Sequence, residues 1–217
     1  MTKDSVGRAD YARGMFTRGI VAASVLATAS LLSLTSAQAL TLPSVPYGPG
    51  PKPVYTVQAQ PAASTCHYRY TTSRQPLPDR RCNPGALNPR VKQSTIRTTI
   101  CKSGYTTLIR PPASITSKEK VLDARSYGYR GSLTQTEYDH LVPLELGGDP
   151  NDRRNLWVEP PSPGHLLSQT YHNPKDTIEN KAHYLVCAGI VPLVSMQRAI
   201  AYNWTTALAA VGHPSGR

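Results

Sequence analysis

The sequence predicts an α+β fold: a short antiparallel strand pair with helices packed around it, stapled by disulfides. Three observations predict it. Residues 138–142 and 156–158 read as two short strands, joined through a Gly147-Gly148-Asp149 turn with room for positive φ. Asn173-Pro174 opens a helix, with Asn as the cap, Pro in the first helical position and Asp176 in the first turn. Four cysteines, Cys66, Cys82, Cys101 and Cys187, form an even set in a chain that begins like an exported one.

The elements follow in order. Lys3, Arg8, Arg13 and Arg18 precede an apolar run over 20–34, and Ala37-Gln38-Ala39 makes a small-x-small site. That order is a secretory signal peptide over 1–39, with the mature chain starting at Leu40. The run is shorter than the ~20 apolar residues of a spanning helix, and no later segment is apolar enough to span. Residues 40–65 are rich in Pro, Gly, Ala, Ser and Gln and read as an extended, mobile linker. Residues 66–97 carry two cysteines, arginines and prolines, and read as a loop-rich, stapled extension. Residues 98–212 form the regular domain.

Within that domain, 98–110 is β-branched around a Gly and predicts a short hairpin or extended pair, ended by Pro111-Pro112. Thr116 and Glu119 have capping-box spacing and predict a helix to about Ser126. The helix from Asn173 should run to about Ala188, stop at Gly189, and bury Ile178, Ala182, Leu185 and Val186. A last helix is expected over 195–211, with an apolar stripe of Met196, Ile200, Trp204, Ala207, Leu208 and Val211.

The chain holds 24 Lys/Arg against 13 Asp/Glu, a formal net charge of +11. Residues 1–39 contain four of those basic and two of those acidic residues, so the remainder keeps about +9. Such an excess steers toward a polyanion, either nucleic acid or an anionic cell envelope. Of the three possible cysteine pairings, Cys66–Cys82 and Cys101–Cys187 are favoured. The first closes a local loop, and the second ties the start of the domain to a late helix. There is no Cys-x-x-Cys pair to suggest zinc.

Chemistry concentrates at Asp139-His140. Neighbours on a strand face opposite ways, so the acid and the imidazole serve different partners. One can hold a metal while the other faces water or substrate, and His is the usual general base near neutral pH. On the helix from Asn173, Asp176, Glu179 and His183 share a stripe, and Glu179 and His183 can reach one ion together. Arg153-Arg154 lies between the strands and suits phosphate contact.

Asp139-His140, Pro143, Gly147-Gly148 and Asn155-Leu156 resemble the HNH endonucleases of the His-Me finger superfamily. The wider context is similar to a group of small exported bacterial HNH-like proteins. It comprises Ile100-Cys101, Gly104-Tyr105, the run 139–148, Asn155-Leu156-Trp157, Lys175-Asp176, Glu179-Asn180, His183 and Val186-Cys187. The likeness covers roughly 98–204. It implies a ββα-metal core with flanking helices over 98–212, one divalent metal ion, and hydrolysis of phosphodiester bonds. By that resemblance His140 is the general base, Asp139 holds the metal, and Asn155 orients the loop carrying His140. The remaining ligands fall on His183 and Glu179, with His165 and His172 as alternatives, because a Pro-rich insertion separates Asn155 from the helix. Magnesium is the first expectation, with manganese, zinc or nickel after it.

Three function classes fit. The first is an exported, metal-dependent endonuclease of low sequence specificity, acting on DNA before RNA. The second is a catalytically silent His-Me scaffold that binds nucleic acid. The third is a basic envelope-binding protein that uses its Pro-rich segment.

Overall fold

The structure is a computed structural model and describes residues 42–163 and 173–213. The expected signal peptide, His165 and His172 lie outside the described residues. The fold is α+β. Strands β1 (Arg69–Tyr70) and β2 (Pro76–Leu77) form a small hairpin. Helices α1 (Tyr105–Ile109) and α2 (Ala113–Ser126) follow. Strands β3 (Glu137–His140) and β4 (Leu156–Glu159) form a second antiparallel pair. Helices α3 (Pro174–Cys187), α4 (Leu193–Asn203) and α5 (Ala207–Ala210) complete the chain. Among the described residues, no helix is long and apolar enough to cross a membrane.

The pairing of β3 with β4 sets the geometry of the centre. Glu137 lies opposite Glu159, Tyr138 opposite Val158, Asp139 opposite Trp157, and His140 opposite Leu156. Residues facing each other across an antiparallel pair share a side, and alternate residues share a side along each strand. Glu137, Asp139, Trp157 and Glu159 therefore point one way, and Tyr138, His140, Leu156 and Val158 the other. The connection turns at Gly147, with φ of 76°. At Gly148 a β-carbon would collide with the carbonyl oxygen of Val142, so only glycine lets the two strands of the loop close.

Helix α3 forms as expected. The Asn173 side chain accepts from Lys175 N–H at 3.0 Å, Asp176 reaches back to the Asn173 N–H at 3.4 Å, and Pro174 stands in the first turn. Ala182, Leu185 and Val186 are buried, and Ile178 packs beside them in the larger core, which is otherwise built mainly from α4, α5 and the loops 87–100 and 142–146. Both disulfides are those favoured from the sequence, Cys66–Cys82 and Cys101–Cys187.

Four expectations are corrected. Residues 98–110 hold no strand; α1 forms after Gly104, whose φ is 79°. Ile100 and Ile109 are both buried there, so compact turns pinned by Cys101 override the β-branched propensity. Helix α2 starts three residues before Thr116, and Glu119 does not cap it. Its carboxylate points inward and accepts from Gln58 N–H at 2.7 Å. The last helix breaks at Asn203, whose side chain accepts from Thr205 N–H at 3.0 Å, although Met196, Ile200, Trp204, Ala207 and Leu208 are all buried as expected.

The fourth correction concerns the described part of the Pro-rich segment, which is extended but laid across the domain. Gly48 donates to Leu87 O at 2.8 Å, Gly50 to Asp149 Oδ2 at 2.6 Å, and Asn151 Nδ2 to Thr56 O at 2.9 Å. Tyr55 donates its hydroxyl to Ile109 O at 2.5 Å. Few of its apolar side chains are buried, Val45 among them, and its Pro-rich composition made it look mobile. Its backbone groups supply much of what holds it.

Candidate active site

Asn155 is fully buried and ties the loop ahead of β4 to its own start. Its Oδ1 accepts from Val142 N–H at 3.0 Å and Ala86 N–H at 3.4 Å. Its Nδ2 donates to Val142 O and Asp149 O, both at 3.0 Å. An amide has two donors and one accepting oxygen, so this side chain is fully used. The loop it closes presents the carbonyl of Pro150 to His140, whose Nε2 lies 3.0 Å from that oxygen. A carbonyl only accepts, so Nε2 carries the proton and Nδ1 of the neutral ring keeps its lone pair. His140 is 7% exposed. Burial, against the Pro150 hydrogen bond and the Asp139 charge, pushes its pKa down to about 4. The ring is an uncharged base at neutral pH.

The opposite side of the hairpin gathers acids around one lysine. Asp139 Oδ2 accepts from Trp157 Nε1 at 3.1 Å and from the Lys175 ammonium at 2.8 Å. Lys175 is 1% exposed, and its Nζ also donates to His140 O at 2.9 Å and to Glu179 Oε1. Burial alone would lower the Lys175 pKa, but Asp139, Glu179 and Glu159 outweigh it and raise it, so the ammonium stays charged. Burial raises the Glu137 carboxyl to about 7, helped by Asp139 and Asp176, and raises Glu179 to about 8 against the pull of Lys175. Glu159 is fully buried and is pushed well above the usual carboxylate range, first by burial and then by Asp139.

The expected metal set does not close on one ion. Asp139 and Glu179 each pair with the Lys175 ammonium, which lies between them. His183 turns elsewhere, with its Nε2 2.9 Å from Ile100 O. It also stands within ligand reach of Cys101 and Cys187, but those sulfurs are joined to each other and offer no thiolates. A different set does converge: one oxygen each from Glu137, Asp139 and Glu159, all within 4.8 Å of one another.

The arginines divide. Arg154 is held by Asp152 through Nε at 2.9 Å and Nη2 at 2.6 Å, and also donates to Tyr47 O at 3.0 Å. It braces the loop. The Arg153 side chain is exposed.

Sequence reasoning missed Glu137, Glu159 and the central place of Lys175. Strand alternation carried the signal for the two acids: Glu137 is two residues from Asp139, and Glu159 is two from Trp157. Nothing in helical spacing announces a lysine turned fully inward. No family model, no curated protein and no solved structure matches this chain.

Proposed function

We propose that the protein is an exported endonuclease that hydrolyses phosphodiester bonds of nucleic acid, DNA before RNA, with His140 as general base. The observation that carries this reading is the state of His140. Its Nε2–H is committed to Pro150, its Nδ1 lone pair is available, and its low pKa keeps that lone pair unprotonated. In the proposed step Nδ1 takes a proton from water, the water oxygen bonds to phosphorus, and the bond from phosphorus to the leaving oxygen breaks. Asn155 is a positioning residue, acting through the loop that presents Pro150. Lys175 holds Asp139 and the His140 carbonyl in place. A divalent ion, magnesium first, supplies charge neutralisation at the phosphate when bound, with Asp139 as its expected ligand. The basic charge and the exposed Arg153 favour a polyanionic substrate. Two disulfides are consistent with export.

A specific observation favours a second reading, the silent nucleic-acid-binding scaffold. Lys175 places a fixed positive charge between Asp139 and Glu179, and little of His140 reaches the surface. One assay separates the two. Disulfide-bonded protein is incubated with supercoiled plasmid in magnesium, manganese, zinc, nickel or chelator, beside His140→Ala. The nuclease predicts metal-dependent nicking that falls by ~100-fold or more in the variant. The scaffold predicts salt-sensitive binding with no nicking in any ion.

A further inference from the structure

We propose that Glu137, Asp139 and Glu159 form a binding site for one hard divalent cation, Mg2+ or Mn2+, on the hairpin face beside Lys175. Strand pairing builds the set: Glu137 lies across from Glu159, and Asp139 is two residues along on the same side. The three ligand oxygens lie within 4.8 Å of one another, near enough for small side-chain shifts to close them on one ion bound at ~2.1 Å.

Glu159 supplies an independent observation. It is 0% exposed, its Oε2 accepts from Asn173 Nδ2 at 3.0 Å, and its Oε1 has no hydrogen-bond partner among the described residues. A buried carboxyl oxygen without a partner is costly, and a divalent cation that displaces the carboxyl proton would satisfy it. Lys175 does not serve. Its three N–H bonds are taken by Asp139 Oδ2, Glu179 Oε1 and His140 O. Asp139, Glu179 and Glu159 all draw on the Lys175 ammonium, and a divalent ion adds positive charge where these carboxyls crowd together. An all-oxygen donor set suits Mg2+ or Mn2+, which keep water in their remaining positions. The site differs from the helix set through His183, and it places the ion on the hairpin itself.

The inference deepens the proposed activity without depending on cleavage. Its test is a titration of Mn2+ into the disulfide-bonded protein, with free Mn2+ read by its paramagnetic resonance signal. Glu159→Gln, Glu137→Gln and His183→Ala are compared. Glu159→Gln keeps an acceptor for Asn173 and removes a buried charge, and circular dichroism checks its fold. The expected result is one saturable site, weakened ~10-fold or more in each glutamine variant and unchanged in His183→Ala. A second readout needs no variant. Trp157 donates to Asp139 at 3.1 Å, so Tb3+ in the site should show indole-sensitised emission that Mn2+ displaces. Absence of saturable binding or of displaceable emission, full affinity in folded Glu159→Gln, or loss of binding in His183→Ala would each overturn the site. Binding without plasmid nicking keeps the site and removes the nuclease. Nicking with full Mn2+ affinity in Glu159→Gln does the reverse.

Discussion

Two buried side chains, Asn155 and Lys175, hold the centre by opposite means. Asn155 works through neutral hydrogen bonds to backbone. Asn155→Ala leaves the Val142 N–H and the Val142 and Asp149 carbonyls without that partner inside the protein. It should cost about 3 kcal/mol, measured by urea denaturation, because each orphaned buried group costs ~1–3 kcal/mol. Lys175 works through charge. Lys175→Met leaves Asp139 and Glu179, each 14% exposed at the side chain, without their cation. Breaking such a pair from one side costs ~3–5 kcal/mol, which the same denaturation would read. A Lys175→Met variant as stable as wild type would mean that the acids hold themselves apart without it.

Helix α2 carries the pH dependence at the scale of elements. It buries Glu119 and Asp123 against the β3–β4 pair, and Asp123 Oδ2 accepts from Val158 N–H at 2.7 Å. Burial raises the Asp123 pKa to about 7, against the pull of that hydrogen bond and with help from Glu119. Between the ordinary aspartate value and about 7 the folded state holds a proton that the unfolded state has lost. The contribution of Asp123 to stability is therefore present in acid and is lost as pH rises toward 7, at up to ~1.4 kcal/mol per pH unit. Asp123→Asn keeps an acceptor for Val158 and should flatten this slope, so the variant gains on wild type between pH 5 and pH 8 in urea melts. Parallel profiles would contradict the shift. The same helix shows why parts of the fold were hard to read. Its buried face includes two acids, so apolar spacing marked it poorly. By contrast, Asn173-Pro174 and Gly147-Gly148 act through local backbone geometry, and α3 and the turn were legible where they stand. Residues 42–65 were misread because main-chain hydrogen bonds to Asp149, Glu119 and Leu87 leave no trace in composition. At the site, Asp139, His140 and Asn155 were legible as neighbours along the chain. His183 was expected to join Glu179 on one ion, but its Nε2 lies against Ile100 O, a contact over a separation of 83 residues.

For the molecule as a whole, the two disulfides constrain very different lengths of chain. Cys66–Cys82 spans 16 residues and Cys101–Cys187 spans 86. On chain-entropy grounds, removing the longer link by paired Cys→Ala changes should cost ~1.5 kcal/mol more than removing the shorter one. Equal losses in urea denaturation would point to native-state packing as the larger contribution of each link. The longer link also fastens α3, with Lys175 and Glu179, to the segment before α1, so its loss should loosen the acid cluster before the hairpin.

His140 is a buried imidazole oriented by Pro150, and the proposed nuclease uses it as its base. The most direct measurement is the single-turnover cleavage rate of a labelled DNA duplex in Mg2+ or Mn2+, for wild type and a His140→Ala variant shown to be folded. Wild type should cleave, and the variant should be ~100-fold to 10,000-fold slower. Equal rates in the two proteins would contradict this, and so would a wild type that binds the duplex and never cuts it.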